Sequence, residues 1–352
     1  MESERRAFLD RLLETPSPSG FETRGQRVWI DYVSEFADDV WTDDYGNAVA
    51  VHEGEADTEI ALTGHADEIG YIVRRIDDNG FVRIGSIGGA DRTVSKGQHV
   101  TIHADEPVSG VVGQTAIHLR KGEEESYDDI EEQYVDVGAT DGDEAESLVS
   151  VGDPVTVSTT VEDLHGSHVS ARALDNRVGT WAVAEGLRRA VETDVSATVY
   201  AVSTIQEEVG LQGAKMVGFD LDPDAVVAVD VTHATDSPGI PEKAQGPVEL
   251  GGGPVVTRGS VNHPLVVELA RDAADDADID VQTQAAGSRT GTDADAFYTS
   301  RGGTPSLNLG LPNRYMHTPV EVVDTDDLDA VATLLGAMAE RAGDVESFAV
   351  DV

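Results

Sequence analysis

Six residues of this 352-residue chain could together carry out hydrolytic chemistry. They are His65 in LTGHADEIG, Asp175 in RALDNRVG, Glu207 and Glu208 in STIQEEVG, Asp230 in VAVDVTHATD and His317 in NRYMHTPVE. The first four stretches place an acid or an imidazole at what reads as a strand end; the fifth puts a histidine in a loop. Taken singly, each is an ordinary turn, cap or surface residue. Taken together, two imidazoles and four carboxylates suit two divalent ions of the zinc or cobalt type. Each ion would take one histidine, one terminal carboxylate and a share of a bridging carboxylate, with a spare carboxylate left as a base. In such hydrolases the ions lie about 3.5–4 Å apart and activate a water. The Glu207–Glu208 pair poses the sharpest question, because neighbouring carboxylates repel and desolvating either is costly. Successive side chains point opposite ways on extended backbone, so the two can do different jobs.

The elements that must position these residues alternate in type. An opening amphipathic helix carries Phe8, Leu9, Leu12 and Leu13 on one face, and TPSPSG breaks it. A second helix is predicted over about Glu22 to Phe36. NAVAV and TEIALTG read as strands, then RVGTWAVAEGLRRAVE as a helix, with ATVYAVST and DAVVAVDVT as buried strands. HPLVVELARDAADDA is a helix beginning near Pro264, TPSLNLG a short strand, and DLDAVATLLGAMAERAG the closing helix. This alternation predicts an α/β/α sandwich, whose ligands bind at the carboxyl ends of the strands. Residues 71–164 differ: short strands (YIVRRI, FVRIG, HVTIH, GVVGQTAI, PVTVSTT) with little helix point to a small β-rich domain inserted into the first, which covers 1–70 plus 165–352. The run GEEESYDDIEEQ reads as a solvated loop, and the acids from Glu123 to Glu132 could face solvent or an entry channel.

The net charge is -43, from 67 acidic against 24 basic residues, while 39% hydrophobic residues leave enough for a core. Such charge disfavours nucleic acid and anionic membranes as partners. No apolar run approaches the roughly 20 residues of a membrane span, and MESERRAFLD lacks a signal-peptide core, so a cytoplasmic location is expected. There is no cysteine, hence no disulfide and no thiolate chemistry.

TPSPSGFE, GHADEIG, ALDNRVG, QEEVGLQGA, VDVTHATD and MHTPVEVVD follow one another in the order of the motifs of peptidase family M-forty-two, the tetrahedral (TET) aminopeptidases, which the chain resembles over essentially its whole length. GVVGQTAIHL and YVDVGA resemble that family's inserted domain. The resemblance implies a three-layer α/β/α zinc-peptidase domain with an inserted small β-rich (PDZ-like or β-barrel) dimerisation domain. It implies two divalent ions, zinc or cobalt: His65, Asp175 and Asp230 would hold one, and Asp175 would bridge to a second held by Glu208 and His317. Glu207 would be the general base and Asp67 would orient His65. One glutamate is then a ligand and its neighbour faces the attacking water, while the cations offset their repulsion. The implied reaction removes the N-terminal residue of a peptide: Glu207 takes the proton of a metal-activated water and hands it to the leaving amine. The resemblance further implies a cis Asp175–Asn176 bond, and dimers that build a twelve-subunit tetrahedral cage around internal active sites. Apart from the resemblance, the small-residue loop GSRTGTDADAF, from Gly287 to Phe297, reads equally as a lining of the side-chain pocket, where Arg289 would favour acidic side chains, or as a structural turn.

Three rival readings share parts of this inventory. A metal-dependent N-acyl-amino-acid or peptide deacylase would use the same two-metal logic on N-blocked substrates. A glycoside hydrolase, the endoglucanase label some relatives carry, would use paired carboxylates without metal and leave the histidines unexplained. A non-catalytic scaffold would have no need to keep Glu207. The charge carries its own expectation, that of a halophile's protein. Self-repulsion destabilises the compact state at low salt and is screened in molar salt, where the Debye length is roughly 3 Å. Circular dichroism and light scattering should therefore show loss of structure or assembly in dilute buffer; full stability without salt would refute salt adaptation.

Overall fold

The computed structural model describes residues 1–120, 127–240 and 246–352. The chain opens with two helices, α1 (Ser3–Glu14) and α2 (Thr23–Val33), and enters the main sheet through β1 (Asp39–Thr42), β2 (Ala48–His52) and β3 (Glu59–His65). It then leaves for the middle segment: β4 (Gly70–Ile76), β5 (Val82–Ile87), β6 (His99–Ile102), β7 (Val108–Val112), β8 (Tyr134–Asp136), α3 (Gly142–Leu148) and β9 (Pro154–Val157). A short pair, β10 (Glu162–Asp163) and β11 (His168–Ala171), leads back to α4 (Leu174–Thr193), β12 (Thr198–Thr204), α5 (Gln212–Asp220) and β13 (Ala225–His233). The rest comprises β14 (Val255–Gly259), α6 (Pro264–Asp276), β15 (Gln282–Ala286), α7 (Ala294–Phe297), β16 (Ser306–Asn313), β17 (Glu321–Asp324) and α8 (Thr325–Ala342).

Among the described residues the main sheet has eight strands in the order β1-β2-β12-β3-β13-β16-β14-β15. Its centre, β12, β3, β13 and β16, is parallel. Those strands are covered on both faces, which is why AVVAVDVT reads as a continuous apolar run. Alternation divides them cleanly. Ile60 and Leu62 of β3 join the large core under α1, α2, α4, α6 and α8, whereas Ala61 joins a smaller core with Val217 of α5 and Phe297 of α7. The result is a three-layer sandwich. β4-β5-β8-β7-β6-β9 close into a barrel with its own core, including Val73, Ile84, Val100, Ile102 and Val155. The inserted β-rich segment is thus a closed barrel, and no helix among the described residues is long and apolar enough to cross a membrane.

Several local expectations are corrected. The second helix stops at Val33, where a turn continues to Phe36. GVVGQTAI is a strand only to Val112, after which Ile117–Leu119 forms a single 3-10 turn. The middle segment holds a seven-residue helix, α3, whose Asp141 cap accepts the Glu144 N–H at 2.9 Å. Part of the acidic run, 122–126, lies outside the described residues. The remainder is not wholly solvated: Ile130 and Gln133 are buried, and Gln133 accepts from Ser95 Oγ at 2.6 Å.

Close approach of α4 to β3 depends on Gly64, the residue before His65. A Cβ there would lie 2.8 Å from the Gly179 carbonyl carbon and 2.9 Å from the Thr180 nitrogen, both backbone atoms. Gly64→Ala must push α4 off the sheet. It should cost about 1–3 kcal/mol and lower the thermal midpoint in molar salt; an unchanged midpoint would contradict this packing.

Candidate functional site

The site lies at the carboxyl ends of the central parallel strands. β3 ends on His65, level with Thr204 at the end of β12, and Asp230 lies two residues beyond the Ala228–Thr63 pair on the neighbouring β13. After Thr204 the chain turns through Gln206, a left-handed residue at φ 53°, and presents Glu207 and Glu208. Asp175 stands in a break at the start of α4, where it and Asn176 leave helical geometry and are joined by a cis peptide bond. His317 comes from the loop between β16 and β17.

The six side chains converge. His65 Nε2 lies 3.3 Å from Asp175 Oδ1, 3.6 Å from Asp230 Oδ1 and 3.9 Å from Glu207 Oε2. His317 Nε2 lies 3.3 Å from Asp175 Oδ2 and 3.4 Å from Glu208 Oε1. The two oxygens of Asp175 therefore face different histidines. Among the described residues, three groups have donor atoms within 4.8 Å of one another: His65–Asp175–Asp230, His65–Glu207–Glu208 and Asp175–Glu208–His317. The far nitrogen of each ring is held. His65 Nδ1 faces the Asp67 carbonyl at 3.2 Å and its carboxylate at 3.3 Å; His317 Nδ1 donates to the Gly89 carbonyl at 3.1 Å. Both Nε2 atoms are thereby aimed at the carboxylates. Asp67 is fully buried and also accepts the backbone N–H groups of Glu207 and Glu208, at 3.0 and 3.1 Å.

Sequence reasoning passed over three further parts of the site. Glu321, buried in the MHTPVE stretch, accepts from the Asp175 N–H at 2.8 Å and from Asn313 at 3.0 Å. Asp293, buried in the small-residue loop, accepts from Thr204 Oγ1 at 2.6 Å. Gly88 and Gly89 bring barrel backbone into the site: a Cβ on Gly89 would stand 2.7 Å from His317 Nδ1, and one on Gly88 3.2 Å from the Glu208 Cβ. A glycine pair after a strand is the one signal that could have flagged them.

Charge is badly unbalanced here. Burial, reinforced by Asp230, Asp293 and Glu208 against the opposing pull of His65, pushes Glu207 up to about 10. Burial also raises Asp230 and Glu208. Burial works the same way on Asp175, but hydrogen bonds from His317 and His65 outweigh it and hold that carboxyl below its usual range. The His317 ring, hydrogen-bonded to Asp175 and Glu208, rises to about 11. These protons stand in for cations. Imidazole nitrogens and carboxylate oxygens are the donor set of zinc-type ions, and two dications would neutralise what protonation now relieves. The residues present fit such ions.

A cavity of about 430 Å³ opens from this cluster. Its further walls include Thr232, Thr257, Gln284 and Asn308 from four adjacent strands, and Arg289 to Thr292 from the small-residue loop. Asp295 fixes that loop, accepting the N–H groups of Thr290 and Gly291 at 2.8 and 2.9 Å. Arg289 is the one Lys or Arg among the described residues lining the cavity.

Known proteins match along the whole arrangement. The family pattern described as M42 glutamyl aminopeptidase matches residues 46–334. Lysyl aminopeptidase of Pyrococcus furiosus is 32% identical over 342 residues, covering 95% of this chain and 96% of that relative. The crystal structure of a TET aminopeptidase from a marine sediment archaeon of the Thaumarchaeota superposes with a TM-score of 0.91 at 28% identity, covering 97% of both chains. The TET1 peptidase of Pyrococcus horikoshii, described as assembling into a tetrahedron or a large octahedral shell, gives a TM-score of 0.85 at 30% identity over 95% of this chain and 99% of that one. The α/β sandwich with its inserted barrel is the architecture of these TET structures.

Ligation requires unprotonated rings and carboxylates, so metal binding must expel protons. In the metal-free protein His317, at about 11, carries a proton at pH 7, and burial raises Glu208 and Asp230 as well. Apparent affinity for zinc or cobalt should therefore rise as pH rises from 6 to 8. Calorimetry in buffers of differing ionisation heat should show net proton release; pH-independent binding without release would mean that His317, Glu208 and Asp230 are not ligands.

Proposed function

The chain belongs to the M42 glutamyl aminopeptidase family, whose members are metal-dependent peptidases, and on that premise we propose that it removes N-terminal residues from peptides at a two-metal site with Glu207 as general base. One observation carries the reading: Asp175 offers one oxygen to His65 and the other to His317, each at 3.3 Å, which is the placement a carboxylate shared by two ions needs. His65, Asp175 and Asp230 would hold the first ion, and Asp175, Glu208 and His317 the second. Bound there, zinc or cobalt would supply Lewis acidity toward a carbonyl oxygen and lower the pKa of a water.

The chain's own groups have distinct tasks. Asp67 fixes the His65 ring through Nδ1 and, through the Glu207 and Glu208 amides, sets the height of both glutamates. Glu207 stands at 3.9 Å from His65 Nε2, farther than the other carboxylates around that ring, which supports a base rather than a ligand. It would accept the proton of the attacking water and return it to the leaving amine. The cavity walls beyond the carboxylates would take the N-terminal side chain.

We further propose that the enzyme works in a halophile's cytoplasm as dimers joined through the barrel and assembled into a dodecamer. The net charge of -43 and the exposed apolar side chains Ile117, Leu119 and Tyr127 on the barrel segment support this. In molar salt, light scattering should return about twelve times the 37.3 kDa chain mass; a monomer's mass would exclude it.

The activity is tested with one peptide offered free and N-acetylated to the metal-loaded protein in molar potassium chloride. Release of the first residue from the free form only, abolished by a chelator, is expected. Glu207→Gln should retain the metals and lose about 10²–10⁴-fold in kcat. Near-normal turnover in that variant would remove Glu207 from the role of base, and cleavage of the acetylated peptide alone would make the protein a deacylase.

A further inference from the structure

The TPSPSGFE segment contributes no ligand and no base, yet it is fastened to both loops that do. Pro18 bridges Glu68 in parallel register. Around that bridge the Ser17 N–H donates to Glu68 Oε1 at 2.8 Å, the Ser19 N–H to the Glu68 carbonyl at 3.2 Å, and the Glu68 N–H to the Ser17 carbonyl at 3.2 Å. The segment is thus fixed to the chain just beyond His65. From this anchor two side chains reach toward the base. Ser19 Oγ donates to Asp67 Oδ2 at 2.6 Å, the oxygen that also accepts the Glu208 N–H, while Oδ1 accepts the Glu207 N–H. Glu22 Oε1 accepts the Gly20 N–H at 2.6 Å and the Gln206 N–H at 3.3 Å. Ser19 and Glu22 are 7% and 5% exposed, so neither is merely solvated.

Gln206 is where this matters. A side-chain-bearing residue at positive φ is held against its own preference, and here it swings the chain out of β12 to present Glu207. Three acceptors hold the turn that follows: Asn47 Oδ1 takes the Ile205 N–H at 3.0 Å, Glu22 takes that of Gln206, and Asp67 takes those of Glu207 and Glu208. None of these contacts touches a metal-ligating atom. We propose that Ser19 and Glu22 are positioning residues, which make the N-terminal loop a clamp on the turn that presents Glu207: Glu22 acts through the Gln206 amide alone, and Ser19 acts through Asp67, which also holds the Glu208 amide. The proposal rests on the reading of Glu207 as base.

The clamp needs an acceptor at Glu22, not a charge, and this separates it from a general structural role. Glu22→Ala, Glu22→Gln and Ser19→Ala are compared with wild type as the full, metal-loaded chain in molar potassium chloride, on the free peptide. Glu22→Ala and Ser19→Ala should each lose about 10–100-fold in kcat, the scale of a base displaced by an ångström. KM should stay near wild type in both, and metal affinity, by chelator competition, should stay near wild type in Glu22→Ala. Glu22→Gln should recover most of kcat, because its amide oxygen still accepts. Hydrogen exchange of the segment 203–211, read by mass spectrometry on the folded proteins, should speed up in the two alanine variants and not in Glu22→Gln. Wild-type kcat in the alanine variants, a loss in Glu22→Ala that follows metal affinity, or a Glu22→Gln variant as impaired as Glu22→Ala would each overturn the clamp. Should Glu22→Ala fail to fold, the kcat and the 203–211 exchange of Ser19→Ala decide. If wild type releases no N-terminal residue, the activity reading fails, while the exchange measurement still judges whether Ser19 and Glu22 hold the loop.

Discussion

Asp67 is the carboxylate on which the site turns. It is wholly buried and receives Ser19 from the N-terminal loop and two backbone amides from the Glu207–Glu208 turn, while facing the ring of His65 at the end of β3. Burial alone would favour its neutral form, but the His65 ring and these donors outweigh that, and its carboxyl is held below the ordinary range. An ionised group sealed away from water is tolerable only with such partners. The need to satisfy Asp67 therefore brings three distant pieces of chain into register. The sheet provides the coarse alignment of strand ends, and this carboxylate provides the fine one.

Around Asp67 the molecule gathers more carboxylates than its imidazoles can balance. Asp175, Glu207, Glu208 and Asp230 line the cavity, and Asp293 and Glu321 are buried near them; burial pushes all six up, and only in Asp175 do the histidine hydrogen bonds outweigh it. Two unrelated forms of negative charge coexist here. The exposed acids, far more numerous, are screened by salt and concern solubility; the buried cluster is screened by almost nothing and concerns chemistry. Only the second kind demands cations at fixed points.

Much of this was legible in the sequence because both kinds of signal are local. Central strands such as AVVAVDVT announce themselves by continuous apolar runs, and His65, Asp175, Glu207, Glu208, Asp230 and His317 stand beside such runs or in short quoted motifs. The unread parts depend on partners far along the chain. Glu321 matters because of an amide 146 residues away, and no spacing rule links the two. Gly89 acts through a carbonyl oxygen, which every residue has. The edge strand QTQAA, half-exposed and alternating with polar residues, resembles a loop until β14 is beside it. In the acidic run, Ile130 was hidden among seven nearby carboxyl groups although it packs into the barrel core.

The bond from His317 to the Gly89 carbonyl joins a ring of the sandwich to the backbone of the barrel. The inserted segment is therefore not a removable accessory. Exchange of this barrel for that of a distant relative would carry over its cores and surfaces intact, yet the graft would succeed at the site only if the two-glycine step after β5 arrived at the same height and tilt. Modularity ends at that dipeptide: everything outward of it can diversify with the barrel's own partners, while the step itself must evolve in concert with the histidine it meets.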